Sequence, residues 1–180
     1  MEIVAGMLHA GAAQIVMGNH EFNALCYHTR DEHGGYLRPH NKKNCSQHAE
    51  TLRYFKKNSG EKERALKWFY SFPLWLDLGF VRVVHAAWSR KPLRSLGTAY
   101  LTRESLAPAA TKGTPEYSAV ETLLKGVEAP LPDKFPYEDK DGNPRREMRV
   151  AGGLIRMLKE RLPKPCFLRI PECRTRHSRQ

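Results

Sequence analysis

At 180 residues and 41% hydrophobic composition, the chain is long enough for one buried core and too apolar for general disorder. No apolar run approaches the roughly 20 residues that span a bilayer, and Glu2 stands where a signal peptide needs basic residues, so a cytoplasmic protein without membrane contact is expected. The net charge of +11 is uneven: residues 145–180 hold 11 basic against 3 acidic side chains, while the rest of the chain is nearly balanced. A basic surface that would select nucleic acid therefore rests on the tail alone.

Ile3, Val4, Met7 and Leu8 recur at helical spacing, which predicts a helix over 2–10 with Gly11 as its cap. "AAQIVM" (12–17) predicts a short buried strand, broken by Gly18. Asn19 is a natural N-cap for the next helix, "HEFNALCYH" (20–28). The polar stretch 29–44 predicts a loop, and helices follow over 45–58 and 60–72, ended by Pro73. "LWLDL" (74–78) and "FVRVVHA" (80–86) predict two strands around Gly79. "TPEYSAVETLLKG" (114–126) predicts a helix capped by Gly126, and "DKDGN" (139–143) a hairpin turn rather than a calcium loop, because no distal Glu follows. Helices alternating with short strands indicate a layered α/β protein.

Two polar words fall at strand ends, where open α/β sheets place ligands. Asn19-His20 follows the first strand, and His85 ends the last one. An Asn oxygen and a His nitrogen suit a divalent metal, while a neighbouring His can protonate a leaving alkoxide. Taken singly, Asn19 with Glu21 reads as a helix cap and His85 as a core histidine. A Cys2His2 zinc set of Cys26, His28, Cys45 and His48 would need the unusual Cys-x-His spacing, so the thiols are read as reduced.

"VMGNHE", followed some 65 residues later by "VVHAAW", resembles the calcineurin-like metallophosphoesterases, in particular their bacterial protein Ser/Thr phosphatase and diadenosine-tetraphosphatase-like branch. "EFNALCYHT", "YLRPHNKKN", "PLWLDLGFVRVVHA", "KGTPEYSAVETLLKG" and "DKDGN" are similar to that branch as well, over residues 1–149. The resemblance implies a β-sandwich flanked by helices, here partial, without its first and its C-terminal strands. It implies Asn19 and His85 as ligands of one metal, His20 as the catalytic residue and Glu21 as its support. Arg38 and His40 are the phosphate-binding candidates. The family uses two divalent ions (Mn, Fe or Zn) and hydrolyses phosphoesters, so a phosphoprotein or nucleotide substrate is implied.

The family's Asp-x-His, Gly-Asp-x-x-Asp-Arg-Gly and late Gly-His motifs do not occur in the 180 residues. The chain is therefore expected to hold about half a metal site, binding at most one ion weakly, with impaired hydrolysis. Residues 150–180 are set apart as a basic tail. The alternatives are a non-catalytic binding protein that keeps the scaffold, or a weak nucleic-acid binder acting through that tail.

Overall fold

The computed structural model describes residues 2–58, 60–130, 137–138 and 144–149. All of them belong to the first of the chain's two units, Met1–Val150 and Ala151–Gln180. The turn expected at 139–143 and the basic tail from residue 150 lie outside the described residues.

Helix α1 (Glu2–His9) forms as its spacing requires, and Gly11 ends it at a φ of 65°, donating to the Leu8 carbonyl at 3.0 Å. Its apolar stripe, however, buries nothing: Ile3 is 81% exposed. The strand expected at 12–17 is not formed. Residues 13–18 take no regular secondary structure and pair with no described strand; the Met17 N–H ties them to the Pro73 carbonyl at 2.8 Å. Alternation and β-branching favour extension, but a ladder needs a neighbour.

Helix α2 (Asn19–His28) turns Phe22, Leu25 and Cys26 into the core. The following loop is closed by an antiparallel bridge between Arg30 and Tyr36 and by the Asp31 carboxylate, which accepts the His33 and Gly35 amides at 2.9 and 2.7 Å. The single helix expected over 45–58 is two. Helix α3 (Lys42–Gln47) starts earlier, because the Asn41 side chain accepts the Asn44 amide at 2.9 Å. Helix α4 (Ala49–Lys57) begins after a break at His48, whose side chain is buried at 8% exposure.

Helix α5 (Glu61–Tyr70) packs on α2, and its Trp68 meets Phe72 edge-on at 4.9 Å. Strands β1 (Trp75–Asp77) and β2 (Arg82–Val84) then pair antiparallel, Trp75 opposite Val84. Gly79 takes the turn at a φ of 80°, and its amide donates to the Asp77 carboxylate at 3.0 Å. The ladder is shorter than expected, and Phe80 at its tip is 90% exposed.

Helices α6 (Arg90–Leu96), α7 (Arg103–Ala110) and α8 (Pro115–Lys125) follow. Thr102 caps α7 and Thr114 caps α8, each accepting the amide three residues on, at 3.2 and 3.0 Å. Beyond α8, β3 (Glu128–Pro130) pairs with β6 (Glu147–Arg149), and β4 (Tyr137–Glu138) with β5 (Pro144–Arg145). The chain is thus a mixture of helices with small antiparallel ladders, each two-stranded among the described residues.

Met17, Leu25, Leu74, Leu106, Val120 and Leu123 are the largest fully buried side chains, each stabilising by about 1.5–3 kcal/mol relative to exposure. Three backbone bonds carry this core to the strand ends. Met17 N–H reaches Pro73 at 2.8 Å, Leu74 N–H reaches Ala99 at 2.7 Å, and Ala86 N–H reaches Leu123 at 2.9 Å. Gly18 and His85, one residue from these ties, are held in place by them.

Candidate functional site

Asn19 is not the helix cap that its residue type favours. Gly18 occupies the cap position with extended backbone, and Glu21 turns back so that its carboxylate accepts the Gly18 amide at 3.0 Å. The Asn19 side chain is thereby free to leave its own helix. Its Oδ1 accepts a hydrogen bond from His85 Nε2 at 3.1 Å, across 66 positions of sequence.

Close approach depends on Gly18 having no side chain. A Cβ there would lie 2.7 Å from a Glu21 carboxylate oxygen and 3.1 Å from His85 Cε1. Gly18 is buried, Asn19 and Glu21 are half-buried, and His85 is exposed, so the pair faces solvent from a fixed base.

His20, next to Asn19, is exposed on the first turn of α2. Arg38 is held by neutral partners: one guanidinium nitrogen donates to Asn23 Oδ1 at 3.0 Å and the other to Gln47 Oε1 at 2.8 Å. Among the described residues no carboxylate forms an ion pair with it, so its charge is oriented but not cancelled. His40 is placed differently. Its ring is stacked between Tyr27 and Tyr36, with centroids at 3.8 and 3.9 Å, and its Nε2 bonds the Tyr27 carbonyl at 2.8 Å. That nitrogen is committed to the fold.

One group stood in the sequence only as half of an unusual zinc set. His28, on the last turn of α2, and His48, at the α3–α4 break, bring their Nε2 atoms to 3.3 Å. Burial, then repulsion from His48, lowers the His28 pKa to about 4. Burial, then Arg38, His20 and His40, lowers that of His48. The thiols stay apart from this pair: Cys26 is buried, which pushes its pKa up to about 12, and Cys45 Sγ lies 3.3 Å from the Tyr27 hydroxyl.

Two donors 3.1 Å apart fit the coordination shell of one divalent ion, since ligands at about 2.1–2.2 Å and right angles span about 3.0 Å. They do not fit two ions. Among the described residues no group of three or more His, Cys, Asp or Glu is placed to hold a metal. No protein-family model matches the chain, nor does any curated protein or solved structure.

Proposed function

We propose that the chain carries one half of a metallophosphoesterase centre of the calcineurin-like kind, and that its helices and short ladders are part of that family's two-sheet sandwich. The observation that carries the reading is the Asn19–His85 contact at 3.1 Å, formed although Asn19 would satisfy a local cap at no distance at all. Glu21 performs the capping instead, which is how it supports the site.

In this reading Asn19 and His85 supply a neutral oxygen and a neutral nitrogen to one Mn²⁺, Fe²⁺ or Zn²⁺ ion. Such an ion, when bound, polarises a phosphoryl oxygen and makes a coordinated water more acidic. With no carboxylate in the set, the ion's charge is uncompensated and binding is weak. In the same reading His20, exposed on the first turn of α2, gives a proton to the leaving oxygen of a phosphoprotein or nucleotide substrate. Arg38, held by two neutral amides, keeps its charge for a phosphate oxygen. His40, stacked on Tyr27 and Tyr36, shapes that loop rather than gripping phosphate itself.

Mn²⁺ titration followed by electron paramagnetic resonance tests the reading. One ion should bind weakly, and both Asn19→Ala and His85→Ala should abolish that binding, with aryl phosphate turnover below about 1 s⁻¹. Binding unchanged in both variants would refute the metal assignment. Turnover above that rate, lost on His20→Ala, would show that the centre needs no further ligands.

A further inference from the structure

His28 and His48 reach the same point from two different elements, the end of α2 and the break between α3 and α4. Two neutral imidazoles with Nε2 atoms 3.3 Å apart share one hydrogen bond. The same separation is the chord that two imidazoles span on a tetrahedral cation: metal–nitrogen bonds of about 2.05 Å at about 109° give about 3.3 Å. We propose that His28 and His48 form a two-histidine site for a borderline divalent cation, Zn²⁺ or Co²⁺, with water completing the shell.

The chemistry of the surroundings supports this. Both rings are neutral at neutral pH, so no proton competes for the nitrogen lone pairs. In the free pair one Nε2–H donates to the other ring; on binding, the donating ring carries its proton on Nδ1 instead, and no net proton is released. On one side His28 lines a cavity of about 760 Å³. Glu63 lines the same cavity, and its negative charge acts on His28 against that of Lys62.

The rings are also held in place. His48 is 8% exposed, and Phe55 packs edge-on against His28 with centroids 5.9 Å apart. Little ordering remains to be done on binding, which is the condition for two ligands to suffice.

The site is distinct from the Asn19–His85 pair, since Asn19 and His28 lie nine positions apart on α2, about 13 Å along the axis. It also differs from a Cys2His2 set. Cys26 is buried in the core cluster, and Cys45 is engaged by the Tyr27 hydroxyl.

Co²⁺ titration of the full chain tests the proposal, because tetrahedral cobalt absorbs intensely in the visible. One equivalent should saturate the band. His28→Gln and His48→Gln should each weaken it by at least about tenfold, the lower bound for losing even an outer partner of a ligand. His85→Ala should leave it unchanged. Because His48 is buried, circular dichroism accompanies each variant, and the half-buried His28 supplies the decisive substitution. No saturable band, a band that survives His28→Gln, or a band lost in His85→Ala would overturn the assignment. The last of these would move the ion to the other pair, so the two readings fail separately.

Discussion

Acidification should destabilise the protein through the same two histidines, above the range where carboxylates titrate. His28 is held neutral in the fold, its pKa lowered to about 4 from an ordinary value of 6.5, by burial first and then by His48, Lys62 and His40, with Glu63 opposing. The unfolded chain takes up this proton near pH 6.5, whereas the folded chain refuses it until about pH 4. Between those values the unfolded state binds more protons, so stability is full above pH 6.5 and falls as pH drops toward 4. The whole interval is worth about 3 kcal/mol, less whatever solvent screening returns to a half-buried ring. His48 adds to it with the same sign. Against a total of roughly 5–15 kcal/mol, this loss is large. Urea unfolding followed by tryptophan fluorescence between about pH 7 and pH 4.5 should show a falling midpoint at constant slope. His28→Gln should remove a large part of the fall. Glu63, Asp77 and Glu104, all held below the usual carboxylate range by hydrogen bonds, act only at lower pH. A midpoint that does not move over this interval, or moves equally in His28→Gln, would refute the reasoning.

Two further outcomes follow from packing. Gly18→Ala places a methyl group 2.7 Å from the Glu21 carboxylate and 3.1 Å from His85, so it should cost about 1 kcal/mol through the lost cap and push His85 off Asn19; urea unfolding and Mn²⁺ binding measured on one sample check both halves. Leu123→Ala empties a site of 0% exposure whose own carbonyl holds the Ala86 amide, and should cost about 2–5 kcal/mol by thermal or urea unfolding, enough to unfold a marginal chain.

What could be read from the sequence was what local chemistry decides. Thr114 and Gly126 bound α8 as their residue types dictate, and Gly79 turns the β1–β2 hairpin with the positive φ it alone tolerates cheaply. Elements that depend on distant partners were harder. Residues 12–17 have a strand's composition and lack a strand's neighbour among the described residues. The helix over 45–58 breaks because His48 is drawn in against His28, twenty residues earlier, and helical periodicity holds no record of that contact. Helices α6 and α7 went unread because Pro92 and Pro108 lie inside them; Thr102 and Ser105 were the capping signal that marked the start of α7.

The candidate site shows the same division from the other side. By propensity alone Asn19 belongs at the head of α2, and a reading confined to local rules leaves it there. The fold instead gives the cap to Gly18 and Glu21, at 3.0 Å, and sends Asn19 across to His85. Gly18 serves both ends of this arrangement, since the absent side chain admits the Glu21 carboxylate and the His85 ring to the same small space. A merely structural asparagine would gain nothing by leaving its cap for an exposed histidine, whose hydrogen bond competes with water and is worth about 1 kcal/mol or less. Under the function proposed above, the exchange makes sense because the two side chains would have an ion to hold, and on that proposal the departure from local preference weighs more than the four-residue word itself.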